Sequence, residues 1–212
     1  MTSVLALVPT LNREHLASQP LGGRLLFEWA LNAVGAYPQV ALVGDESLEL
    51  SPRAARPDRL TYLLPRDEVT LRSAIHCADL VIVHDPLCPL VSAAFVADVV
   101  HAWEALTSEA EWTAVVAVRP VVDTLKSLRG NVVVDTIDRD AVWRVVSPVV
   151  ASAALLSGTA DLAATLSDPS SLVEELRRRG PVAWMAAPES ARRVEGSVSL
   201  LGLATELDDL PG

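Results

Sequence analysis

The residues best placed for chemistry follow an apolar run, Leu80-Val81-Ile82-Val83, which turns polar at His84-Asp85 and stops at Pro86. Such a run bounded by a turn signal predicts a buried strand of a parallel sheet. His84 and Asp85 then stand at its carboxyl end, where open α/β sheets bind ligands. The plainer alternative is a core strand that leaves through an Asx-type turn at Asp85-Pro86. A second grouping, His76, Cys77, His84 and Cys88, could suggest zinc, but its spacing follows no structural zinc pattern. Lys126 is the only lysine among seventeen basic residues, so chemistry that needs an ammonium has one candidate. Arginine is not its equivalent at a phosphate site.

Composition narrows the possible functions. The chain has 212 residues, half of them hydrophobic, and a formal net charge of −10. That length suits one large α/β domain or two small ones. The negative charge argues against nucleic acid and anionic membrane surfaces as partners. A substrate with several phosphates would need a local basic cluster. Two cysteines make no disulfide framework and favour a reduced cytoplasm. The first nine residues lack the basic start of a signal peptide, and no apolar stretch is long enough to span a membrane.

The elements that must position these residues can be read in order. Strands are predicted over Val4 to Val8, Val40 to Val43, Leu60 to Leu64, Leu80 to Val83 and Trp112 to Val118. Helices are predicted from Arg24 to Tyr37, from Glu68 to Cys77 behind an Asp67 cap, and from Ser92 to about Leu106. Residues 46 to 59 read as a loop. This alternation argues for a doubly wound, mainly parallel sheet flanked by helices. Residues 121 to 136 break the pattern. Asp123, Thr124 and Lys126 lie on one limb of a hairpin, and Arg129-Gly130-Asn131 supply its turn. A strand over Val142 to Val146 is ended by Ser147-Pro148. Helices over 151 to 179 are broken near Gly158 and at Asp168-Pro169. Strands at Val182 to Ala186 and Val194 to Leu201 and a short helix at Ala204 to Leu210 complete the chain. Arg177-Arg178-Arg179 sits where a helix end favours cations. One domain with a projecting β-arm over 121 to 138 is the economical arrangement.

Four blocks in the middle of the chain resemble the methylerythritol phosphate cytidylyltransferases of isoprenoid biosynthesis. The family's His-Asp-Ala-Ala-Arg-Pro signature corresponds to His84-Asp85-Pro86-Leu87-Cys88-Pro89. Its Pro-Val-x-Asp-Thr-hydrophobic-Lys segment corresponds to residues 120 to 126. Its Val-Asp-Arg-x-x-Leu-Trp segment corresponds to residues 137 to 143, and its Thr-Pro-Gln turn to Ser147-Pro148-Val149. The resemblance implies a Rossmann-like nucleotidyltransferase (GT-A-like) fold and a homodimer in which the arm completes the partner's site. It also implies attack of a sugar or polyol phosphate on the α-phosphate of CTP, releasing pyrophosphate. Such transfer needs cations on the phosphates and in-line positioning.

By the same resemblance, Asp85 is a catalytic residue near the metal, a Mg²⁺ ion if nucleotide binding is retained, and His84 belongs to the substrate signature. Thr124 and Arg139 correspond to arm positions that contact the sugar phosphate, and Asp123 and Lys126 also match. Asp67 falls where the family reads base or ribose. Each has a plainer alternative: solvent-facing hairpin residues for Asp123 and Thr124, an ion pair to Asp138 or Asp140 for Arg139, and helix N-terminal charge for Asp67.

The family's glycine-rich first loop is missing. Pro9-Thr10-Leu11-Asn12-Arg13-Glu14-His15-Leu16 stands in its place, with Arg13 the one candidate for the loop arginine. The Pro-Lys lysine has no counterpart, and Cys88 and Val149 replace the signature arginine and the turn glutamine. The late Asp-Asn-hydrophobic-Lys segment falls on Ser197 to Leu201. The leading expectation is therefore a family member with weakened or lost transfer. One alternative is an active nucleotidyltransferase with altered substrates, using Arg13, Arg24 or Arg66. The other is a non-catalytic partner-binding dimer.

Overall fold

The computed structural model describes residues 2–44, 48, 50–51, 60–63, 67–107 and 112–208. The loop expected over 46 to 59 lies mostly outside these residues, and Arg66 lies wholly outside them. The first half of the chain contains β1 (Val4–Pro9), α1 (Glu14–Ala17), β2 (Pro20–Leu21), β3 (Arg24–Leu25), α2 (Leu26–Val34), β4 (Gln39–Val43), β5 (Leu60–Leu63), α3 (Glu68–His76), β6 (Leu80–Val83) and α4 (Ala93–Thr107). The second half contains β7 (Ala114–Pro120), β8 (Leu125–Arg129), β9 (Val132–Ile137), β10 (Trp143–Ser152), α5 (Ala153–Ser157), α6 (Leu162–Ser167), α7 (Pro169–Arg179), β11 (Val182–Ala186) and α8 (Ser197–Asp208).

Seven strands form one sheet in the order β11-β7-β10-β6-β1-β4-β5. β10 runs antiparallel to both its neighbours, and every other adjacent pair is parallel. Side chains alternate between the two faces along each strand, and both faces are covered. Ala6, Val8, Leu80 and Ile82 pack with residues of α2 and α4. Leu5, Leu7, Val81 and Val83 pack with residues of α3, α5, α6 and α7. Burial on both sides explains why these strands read as unbroken apolar runs.

Two local expectations need correction. Ser147-Pro148 does not end the strand begun near Val142. β10 continues to Ser152, and its register against β7 shifts between Val145 and Val149. A bulge tolerates a proline that a regular ladder position would not. The strand expected over Val194 to Leu201 does not form: residues 197 to 201 are instead the start of α8. Leu200, Leu203, Ala204 and Leu207 follow helical spacing and pack with Leu21, Leu26 and Leu87. The hairpin forms as expected: among the described residues β8 and β9 pair only with each other, and Gly130 takes the left-handed φ of 60° that its turn requires.

Candidate functional site

β6 delivers His84 and Asp85 to the carboxyl end of the sheet. The His84 N–H donates to the Leu7 carbonyl at 2.8 Å, which extends the ladder with β1 by one residue. Both side chains are buried, with Asp85 only 3% exposed. The bulge in β10 brings Ser147 against them. Its hydroxyl oxygen lies 2.5 Å from His84 Nδ1 and accepts the Asp85 N–H at 2.9 Å. The hydroxyl keeps a second acceptor lone pair and its own proton, so the contact with Nδ1 is compatible with either neutral tautomer of His84. Burial lowers the His84 pKa from 6.5 to about 4, against a small opposing effect of Asp85. The imidazole is therefore neutral at physiological pH, and its buried Nε2 has no hydrogen-bond partner among the described residues.

Both oxygens of the Asp85 carboxylate are engaged. Oδ1 accepts Arg13 Nη1 at 2.9 Å and the Leu87 N–H at 2.9 Å, while Oδ2 accepts Arg193 Nε at 2.8 Å. The bond to the N–H two residues on closes the Asx turn. Arg13 follows Asn12, whose φ of 58° bends the short first loop inward. Its Nη2 also donates to the carbonyls of Pro9 and Leu166 at 3.2 and 3.3 Å. Burial opposes the charge of Arg193, but the adjacent carboxylate outweighs it and holds that pKa above the ordinary arginine value. Cys88, in place of the signature arginine, is fully buried, and burial followed by the Asp85 charge pushes its thiol well upward. The cavity beside Arg13, Asp85, Ser147 and Leu166 measures about 10 Å³. A single water needs about 10–15 Å³.

These residues do not fit a magnesium ion at Asp85. Magnesium takes near-octahedral oxygen ligands from one or two carboxylates, phosphates and waters. Here both carboxylate oxygens face guanidinium donors. No group of three His, Cys, Asp or Glu that could hold a metal occurs among the described residues.

The remaining site candidates lie elsewhere. Asp67 caps α3, accepting the Thr70 N–H at 3.1 Å and its hydroxyl at 2.6 Å. Thr124 is exposed near the foot of the arm, and Lys126 Nζ donates to Thr136 Oγ1 across the hairpin at 2.6 Å. Arg139 donates to the Val122 carbonyl at 2.6 Å, and Asp138 caps the turn by accepting the Asp140 N–H. Asp123 lines a groove at the foot of the arm. Of the arginines considered as substitutes, Arg13 is committed to Asp85, and Arg24 stacks 5.0 Å from the Trp29 ring centre. The second clamp residue, Arg193, was not among the sequence candidates. Paired arginines at 192 and 193, between the buried Ala191 and Val194, were the available signal.

A mainly parallel sheet with helices on both faces, and polar residues gathered at the carboxyl ends of its strands, defines an α/β fold of the nucleotidyltransferase type. The crystal structure of 2-C-methyl-D-erythritol 4-phosphate cytidylyltransferase from Thermus thermophilus is similar, with TM-score 0.70 and 25% identity over 99% of this chain and 100% of that one. The structure of the Francisella tularensis 2-C-methyl-D-erythritol 4-phosphate cytidylyltransferase has TM-score 0.71 at 16% identity, covering 97% and 100%, which shows the shared fold. A family model described as 2-C-methyl-D-erythritol 4-phosphate cytidylyltransferase matches residues 68–183, more than half of the chain. The chain belongs to the 2-C-methyl-D-erythritol 4-phosphate cytidylyltransferase family. A cytidylyltransferase of that description from Lysinibacillus sphaericus is 30% identical over 102 residues, 46% of this chain and 42% of the relative. A bifunctional enzyme from Desulfotalea psychrophila is 37% identical over 78 residues, covering 37% and 19%. The matched stretch thus spans less than half the length of either relative. No helix among the described residues is long and apolar enough to cross a membrane.

Proposed function

We propose that the chain is a family member in which CTP-dependent nucleotidyl transfer has been lost, and that it persists as a two-subunit binding scaffold. The observation that carries this reading is the double clamp on Asp85. A carboxylate bound by Arg13, Arg193 and the Leu87 N–H has three of its roughly four lone-pair sites occupied, and each oxygen already faces a guanidinium. The adjoining cavity cannot hold a nucleotide. The first loop offers Arg13 to Asp85 instead of a ring of backbone N–H groups to a triphosphate. One preorganised electrostatic contact can carry about 10²–10³ in rate, so losing several removes ordinary catalysis.

The arm supports the two-subunit part. A two-stranded hairpin is marginal in water by itself. This one exposes Leu128 and Val133, which stand opposite each other in the ladder, together with Val132, Val134 and Ile137. An apolar surface of that kind calls for cover, and a second copy of the chain is its occupant. Incubation with CTP, methylerythritol phosphate and Mg²⁺, read by pyrophosphate release, tests the loss of transfer. Sedimentation equilibrium tests the dimer.

A further inference from the structure

Two tryptophans of the sheet are left out of its core. Trp143, at the start of β10, stands opposite Pro120 of β7, and Trp184, on the edge strand β11, stands opposite Val116 of the same strand. Opposed residues share a face of the sheet, as do alternate residues along a strand. Both indoles therefore project on the side where Val116 and Val118 pack with Val173 and Leu176 of α7. The helix does not cover them: Trp143 is 53% exposed and Trp184 is 52% exposed. Between them and α7 runs a groove of about 680 Å³. Ligand sites measure about 300–1,000 Å³. The helical wall is a single stripe, because Ser170, Val173, Glu174 and Arg177 recur at helical spacing and all line the groove. Its charges are unevenly answered. Arg178 pairs with Glu174 at 2.5 Å, and Arg179 pairs with Glu175 at 2.7 Å. Arg177 is exposed and has no ion pair or hydrogen bond to any described residue. The groove thus joins two open indole surfaces to a carboxylate that already has its cation and a guanidinium that has no anion.

We propose that this groove binds a small planar aromatic carboxylate, its ring system against Trp143 and Trp184 and its carboxylate on Arg177. Indole faces take flat rings in offset or edge-to-face contact. The planar fork of a guanidinium matches a carboxylate with two parallel hydrogen bonds. An aromatic cation would instead meet the free charge of Arg177, and a neutral ring would leave that charge unanswered. No residue of the Asp85 site takes part. Turnover of CTP would overturn the loss of transfer and leave this proposal standing, and failure of an aromatic acid to bind would do the reverse.

The test titrates the whole chain calorimetrically with indole-3-acetate, indole-3-acetamide and tryptamine, which put a negative, a zero and a positive charge on one ring system. The expected result is saturable binding of indole-3-acetate, about fivefold weaker for the amide and weaker again for the amine. Arg177→Gln should bring the acetate down to the level of the amide. It should not lower the melting temperature, because the guanidinium supports nothing in the fold. Trp184→Ala should weaken acetate and amide alike, by about tenfold. If that variant does not fold, the charge series on Arg177→Gln decides the matter alone. Arg129→Gln, at the arm tip, should change neither affinity. Four results overturn the proposal. The first is acetate heats no different from those of sodium chloride at matched ionic strength. The second is an amide or amine that binds as tightly as the acetate, and the third an Arg177→Gln protein that keeps the wild-type preference. The fourth is a Trp143→Ala or Trp184→Ala protein whose ligand-free sedimentation differs from the wild type, which would make the groove a seam between copies of the chain.

Discussion

Replacing Asp85 by Asn separates a structural carboxylate from a catalytic one. The amide keeps the shape of the side chain and can still accept the Leu87 N–H, but it removes the counter-charge of two arginines. The Asp85 side chain is 4% exposed, that of Arg13 10% and that of Arg193 22%. Removing one partner of a buried pair costs about 3–5 kcal/mol. Arg193 is exposed enough to regain some water, which favours the lower end, about 3 kcal/mol. For a chain of this length that corresponds to a melting temperature lower by roughly 6–12 °C. Arg13→Gln should follow at about 2 kcal/mol, since it also releases the Pro9 and Leu166 carbonyls. Arg193→Gln should cost least, about 1 kcal/mol, because Arg13 still neutralises the carboxylate. The three residues form one network, so the Asp85→Asn/Arg13→Gln double variant should lose less than the sum of the two singles. Urea unfolding of the four variants measures this. A carboxylate held ready for a metal and substrate burdens stability, and its amide leaves stability unchanged or raises it. An Asp85→Asn protein that unfolds at or above the wild-type midpoint would therefore refute the clamp.

The remaining expectations concern pH and assembly. His84 has a folded pKa of about 4, below its ordinary 6.5, so the unfolded chain binds the extra proton between those values. Its contribution is full above pH 6.5 and falls by about 1.4 kcal/mol per pH unit down to pH 4, roughly 3 kcal/mol in all. Unfolding midpoints of wild type and His84→Asn from pH 7 to 4.5 should converge as the pH falls, and parallel curves would contradict this origin. On the arm, Val133→Glu should raise the dimer dissociation constant at least about tenfold without lowering the melting temperature of the monomer. A wild type that sediments as a monomer at high micromolar concentration would contradict the arm's assigned role.

Much of the sheet was legible because β1, β4, β6 and β7 are covered on both faces, which leaves little but aliphatic residues along them. The Asp67 cap and the Gly130-Asn131 turn were legible because each is a local hydrogen-bonding or backbone requirement. β10 was read too short, because Pro148 signals an end unless the neighbouring strand's register shift is known. The start of α8 was read as part of a strand over Val194 to Leu201, and its helical spacing becomes clear only with Leu203 and Leu207; its later turns fall in the helix expected over Ala204 to Leu210. His84 and Asp85 were found from the strand they end. Arg193 was not, because its partner lies 108 residues earlier and no local pattern links them. The departures at the first loop and at Cys88 were visible in the sequence. What fills the space they leave, two guanidiniums on one carboxylate, depends on three distant segments meeting.

The central claim, that the nucleotidyl-transfer site has been converted into a structural clamp, is tested most directly by pyrophosphate release. Purified protein would be incubated with CTP, methylerythritol phosphate and Mg²⁺. The expected result is no release above that of the Asp85→Asn variant. Mg²⁺-dependent release at an ordinary enzymatic rate, on the order of 1–10³ s⁻¹ and abolished by Asp85→Asn, would contradict it.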